Sequence, residues 1–172
     1  DGQLPLAYFA DPTSGKGRVE DLLAGVRILG TEGHPRFGRV HSRSDVAFDQ
    51  EEDKLEPVPS ISSVYWLNLY GAEAVEKIGR SRVLATPCYH LEELPGASVL
   101  TLTDSSPVTF ASPEARAAQA RALVHLDPSK SYDAVLKELT DRSARLQQVE
   151  RDWDEDITPL LELIVDFEGY SN

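Results

Sequence analysis

Val64-Tyr65-Trp66-Leu67-Asn68-Leu69-Tyr70-Gly71 is the stretch on which the fold turns. Every residue before the glycine except Asn68 is apolar or aromatic, and such side chains suit a pleated, buried surface. Periodicity alone does not separate strand from helix in so dense a run. Its short length and the glycine that closes it favour a buried strand. Ala74, Val75 and Ile78 then mark a short helix that stops at Gly79. Beyond it, Val83-Leu84-Ala85-Thr86 and Tyr89-His90-Leu91-Glu92 read as extended segments. Leu94-Pro95-Gly96 supplies a tight reversal, since proline presets one turn angle and glycine accepts the left-handed one. The chain returns over Ala97 to Thr103 with Val99, Thr101 and Thr103 opposing Leu100 and Leu102, which predicts a hairpin.

Upstream, Leu4-Pro5-Leu6-Ala7-Tyr8-Phe9 predicts a short strand with proline near its start, where a missing donor is tolerated. From Arg18, Val19, Leu22, Leu23, Val26 and Leu29 recur at helical spacing, with Gly30 and Gly33 as the expected stop. Phe37 to Ser44 alternates as a strand and leads into an acidic, proline-bearing loop through Asp49, Glu51, Glu52, Asp53 and Glu56. Downstream, Ser112-Pro113-Glu114 is a helix start, because serine accepts from the free amides of a first turn and proline there forfeits no needed donor. That helix should run to Leu126. After Asp127-Pro128 a narrow apolar stripe of Val135, Leu139, Leu146, Val149 and Trp153 predicts a polar helix. Thr158-Pro159 is read as opening a last helix, with Leu160, Leu161, Ile164 and Phe167 inward and Gly169 as its stop. The expected fold class is α+β, a mainly antiparallel sheet packed by helices with a helical C-terminal extension. The expected division is an α+β unit over 1–127 and a helical unit over 128–172 packed on it. Its core should comprise Leu22, Leu23, Val26, Val64, Trp66, Leu67, Leu69, Val75, Ile78, Val99, Leu100 and Leu102.

The length of 172 residues suits one domain with a core of its own. Seventeen Lys and Arg against twenty-nine Asp and Glu leave a formal charge of −12, which repels a phosphate backbone and argues against direct nucleic-acid binding. No apolar run approaches the roughly 20 residues a bilayer span needs. With one cysteine, Cys88, no intramolecular disulfide or multi-cysteine zinc cage can form, in keeping with a reducing compartment. The cytoplasm is the expected location. Because the chain lacks methionine, a removed N-terminal segment and a periplasmic location are the alternative.

The motifs that suggest chemistry are incomplete. Gly15-Lys16-Gly17 lacks the first glycine of a phosphate loop and the hydroxyl residue after lysine that would hold magnesium. His34 and His41 are seven apart without a matched carboxylate, so a loop and a strand histidine are expected rather than metal ligands. Cys88 and His90 could share a strand face as thiol and base, but a buried structural cysteine is the plainer reading. Asp152, Asp154 and Asp156 around Trp153 lack the glycine and closing glutamate of a calcium loop. Neither cofactor nor metal is expected, and the chain reads as a non-enzyme. A dispersed site using His41, His90 or Asp45 is the enzymatic alternative. The residues expected to meet a partner are Asp49, Glu51, Glu52, Asp53 and Glu56 in the loop, and Asp152, Asp154 and Glu155 near the tail.

The run from Val64 through Gly71 and Ala72-Glu73-Ala74-Val75-Glu76-Lys77-Ile78-Gly79-Arg80 resembles the tryptophan-strand, glycine, short-helix segment of the type VI immunity family of bacterial polymorphic-toxin systems. Leu91-Glu92-Glu93-Leu94-Pro95-Gly96, the strand Val99-Leu100-Thr101-Leu102-Thr103, and Ser112-Pro113-Glu114 with its alanine-rich helix are similar to that family's closing hairpin and helix. His34-Pro35-Arg36-Phe37-Gly38-Arg39-Val40 resembles its helix-to-strand junction, so the likeness spans Val19 to Leu126, and the tail from Pro128 departs from it. The resemblance implies a non-catalytic α+β protein that binds and neutralises a cognate antibacterial toxin. If that toxin is a nuclease with a basic cleft, acidic groups could occupy the cleft in place of phosphate. The competing binding role is an adaptor that self-associates into a homo-oligomer through its C-terminal helices.

Overall fold

The computed structural model describes residues 3–6, 17–42, 61, 63–105, 111–151 and 161–167. They form an α+β fold in which six antiparallel strands make one sheet. The strands are β1 (Gln3–Leu6), β2 (Pro35–Ser42), β3 (Leu67–Tyr70), β4 (His90–Glu93), β5 (Val99–Leu102) and β6 (Leu161–Phe167), in spatial order β1-β6-β2-β3-β5-β4. The helices are α1 (Gly17–Glu32), α2 (Ala72–Ile78), α3 (Arg80–Leu84), α4 (Pro113–Leu126) and α5 (Tyr132–Arg151), with a short 3-10 turn over Pro95–Ala97.

The dense Val64–Tyr70 run is buried throughout, although only Leu67–Tyr70 pairs as strand. It is buried because β3 is central and both its faces are covered. Leu67 and Leu69 join Leu100 and Leu102 of β5 beneath Leu22 and Val26 of α1. Tyr70 and Val99 face the opposite way, among Val75 and Val83 of α2 and α3, Ala120 and Leu123 of α4, and Val135 and Leu139 of α5. Each fully buried leucine or valine contributes on the order of 1.5–3 kcal/mol. Of the expected core only Leu23 and Ile78 are partly rather than fully buried.

Local signals place the strands. Gly71 sits where a Cβ would come within 1.7 Å of the Pro35 carbonyl oxygen, and its amide donates to the Arg36 carbonyl at 3.0 Å, so the missing side chain sets how closely β3 joins the start of β2. Gly79 ends α2 at a φ of 100°, a conformation that disfavours any residue with a Cβ. Ser112 caps α4 as expected, its Oγ accepting from the Ala115 amide at 3.1 Å, with Pro113 as the first helical residue.

Three expectations are corrected. Gly30 lies inside α1, which continues to Glu32; a Cβ there would meet Leu94 Cδ1 at 2.5 Å, so the glycine admits close packing instead of stopping the helix. Residues 83–86 are not extended, since Val83 and Leu84 belong to α3 and the Thr86 hydroxyl donates to the Val83 carbonyl at 2.7 Å, closing its end. The last helix expected after Pro159 is also corrected: Leu161–Phe167 is strand β6, paired with both β1 and β2. Its apolar residues fit either period, and ladder bonds on two sides favour the extended form. The helical part of the C-terminal extension is therefore α5. The sheet draws strands from both sides of Asp127.

Candidate functional site

The acidic residues expected to meet a partner, Asp49, Glu51, Glu52, Asp53, Glu56, Asp152, Asp154 and Glu155, all lie outside the described residues, as do Asp45 and Asp156. Gly17 opens α1, while Gly15 and Lys16 are also outside. His34 is an exposed residue before β2 with a φ of 45°, and His41 is a β2 residue, the loop and strand placements expected of them.

The described residues bring polar groups together at β4, the outermost strand on one side of the sheet. Cys88 does approach His90, but its thiol donates to the His90 backbone oxygen at 3.3 Å and not to the imidazole. Burial pushes the thiol's pKa up, the opposite of what a nucleophile at neutral pH requires. The imidazole turns elsewhere, His90 Nε2 lying 3.5 Å from Glu92 Oε2. Arg27, reaching across from α1, donates through Nε to both Glu92 oxygens at 2.9 and 3.2 Å. Burial by itself would raise the Glu92 pKa, but hydrogen bonds and charge from Arg27, with His90, hold it below the usual carboxylate value. On the opposite face of β4, Glu93 pairs with Arg80 of α3.

One end of the strand carries a bulge. The register sets His90 opposite Leu102, yet the Tyr89 amide also donates to the Leu102 carbonyl at 2.8 Å. Two consecutive residues thus oppose one, which ends the ladder and re-aims a side chain. Tyr89 stands out as a result, 67% exposed and one of two large hydrophobic residues that are exposed among the described residues. At the other end Leu94 is buried under α1, and its amide donates to the Ser98 carbonyl at 2.8 Å to close the hairpin. Sequence reading found the strand and its turn but missed Arg27 and Arg80. Their contacts join residues 65 and 13 positions apart, and no local pattern announces them.

Two buried polar clusters elsewhere hold the fold. Asn68 is fully buried; its Oδ1 accepts from the Tyr65 amide and its Nδ2 donates to the Tyr65 carbonyl, both at 3.0 Å. Thr103 Oγ1 donates to the same carbonyl at 3.1 Å, while Arg39 donates to the Tyr65 hydroxyl at 3.0 Å and stacks 5.0 Å from the ring centre. Between α4 and α5, buried Arg116 donates to Ser143 Oγ at 2.8 Å and Gln119 Oε1 at 3.0 Å. Among the described residues no group of three metal-ligating side chains is gathered, and no helix is long and apolar enough to cross a membrane. Compared with protein-family models, curated proteins and solved structures, the chain matches none.

Proposed function

We propose that this chain is a non-catalytic binding protein that neutralises a cognate antibacterial toxin, with a basic nuclease as the toxin class its charge fits best. The observation that carries the reading is the use made of the pair that looked most like chemistry. The Cys88 thiol is spent on a backbone carbonyl and pushed toward its neutral form, while His90 and Arg27 are spent on Glu92. Such groups stabilise a hairpin; they do not activate a substrate. A formal charge of −12 favours encounter with a basic surface, and the order of strand, short helix, hairpin and capped helix is the one the sequence resemblance implies. The adaptor reading has less support, because Val135 and Leu139 of its self-association stripe are buried within the chain against α4 and the sheet.

Co-expression with the product of the neighbouring gene tests this. Rescue from toxicity together with a stable one-to-one complex is the expected result. A harmless neighbour, or toxicity unrelieved by this chain, refutes it. A nuclease target would place the encounter in the cytoplasm.

A further inference from the structure

The geometry points to the outer edge of β4 as a docking site for an extended segment of a partner, with an apolar residue opposite Leu91 and basic residues opposite Glu92 and Glu93. This inference deepens the binding reading above and rests on it. The orientation of the edge follows from two bonds. The Thr103 amide donates to the Trp66 carbonyl at 2.8 Å, so the backbone groups of the odd-numbered β5 residues face β3. The even-numbered ones therefore face β4, as the bond from the Leu94 amide to the Ser98 carbonyl shows. In the antiparallel register His90 and Glu92 aim their amides at β5, and Leu91 and Glu93 aim theirs away from the sheet.

Outward amides alone describe any edge strand. Three features make this one selective. The ion pairs of Glu92 with Arg27 and Glu93 with Arg80 lie on opposite faces of the strand and hold it extended, so an incoming strand meets a pre-ordered template. Both carboxylates keep surface open to solvent, Glu92 31% beside Arg27 and His90, and Glu93 45% beside Arg80, which leaves each an open side for a guest cation. Leu91 is half-buried, so one apolar residue of the guest has a surface to cover. Main-chain bonds to the edge would supply affinity, and the alternating faces would supply specificity. A second copy of this chain fits poorly. Pairing its Leu91 and Glu93 amides in register would set Glu92 against Glu92, and like charges directly opposite are destabilising.

Hydrogen exchange on the full chain tests the site, using a capped peptide Thr-Lys-Lys-Val-Thr-Thr as the probe and its Glu-for-Lys counterpart as the control. Saturable binding should slow the Leu91 and Glu93 amides by about tenfold or more, leave Glu92 unchanged, and fail with the acidic peptide. Leu91→Pro should abolish binding while keeping the hairpin, because the amide it removes makes no ladder bond; Leu91→Ile should bind as the parent does. No slowing at these two amides up to about 10 mM peptide overturns the inference. So does equal binding of the acidic peptide, or protection confined to other amides. If Leu91→Pro does not fold, the exchange data on the parent chain decide alone. Protection by the peptide without rescue in co-expression sinks the toxin reading and spares the edge; rescue without protection sinks the edge alone.

Discussion

Asn68 and Tyr70 stand two residues apart on one strand, face the same side of the sheet and are both buried, yet their polar atoms have opposite consequences. Asn68 serves both backbone groups of Tyr65. Asn68→Ala strands a buried amide and weakens a carbonyl, and should cost about 2–4 kcal/mol in urea unfolding. The Tyr70 hydroxyl finds no hydrogen bond of ordinary geometry among the described residues, although Thr101 is close enough to influence it, and burial pushes its pKa up. Tyr70→Phe should therefore be neutral or stabilising by up to about 1 kcal/mol. The reverse order of the two variants would invalidate this account of the cluster. Glu92 gives a pH signature. Its folded pKa lies below the unfolded value, so its contribution to stability is present above the ordinary carboxylate range and lost as pH falls through the folded pKa. The stability gap between the parent and Glu92→Gln should shrink between about pH 5 and pH 3. A gap that is constant or widens on acidification means the Arg27 pair is not its source.

At the level of elements, α5 and β6 are what a truncation would remove. Val135 and Leu139 complete the core on the α4 side of the sheet, Ser143 accepts from buried Arg116, and β6 lies between β1 and β2. Cutting after Asp127 should accordingly abolish cooperative unfolding, whereas an appended helical unit would leave the body intact. Thermal unfolding of residues 1–127 followed by circular dichroism decides between them. A sharp transition near that of the full chain would mean that α5 and β6 are accessory. A single Leu139→Ala change in the full chain should cost about 2–5 kcal/mol, the usual range for a buried leucine.

For the whole molecule the governing quantity is charge. A formal −12 would favour long-range encounter with the basic partner proposed above, and steering charges act on association rates more than on dissociation. Reversing Glu51, Glu52 and Asp53 together should slow association by about tenfold at low salt and flatten its salt dependence. Stopped-flow mixing with the toxin proposed as its partner, at several ionic strengths, measures both. Unchanged rates would remove these acidic residues from the encounter surface and leave the β4 edge as the contact to pursue.

The sequence by itself determined the α+β class, the hairpin around Leu94-Pro95-Gly96, the cap at Ser112 and the part of the core that β3, β5 and α1 supply, because each rests on local chemistry or on apolar density; the buried residues of α4 and α5 were not in the expected core. Cys88, expected as a buried cysteine on a strand, is instead only half-buried and precedes β4. Only the tertiary structure decided that Leu161–Phe167 is a strand between β1 and β2, since its apolar pattern permits either period and partners distant in sequence choose. The tertiary structure alone decided that Gly30 is a contact rather than a stop, because the reason is Leu94, brought against α1 by the hairpin. The β4 edge belongs to the same class. His90 to Glu93 read simply as a strand, and the outward amides and the arginines that clamp its two carboxylates exist only once α1, α3 and β5 have packed around it.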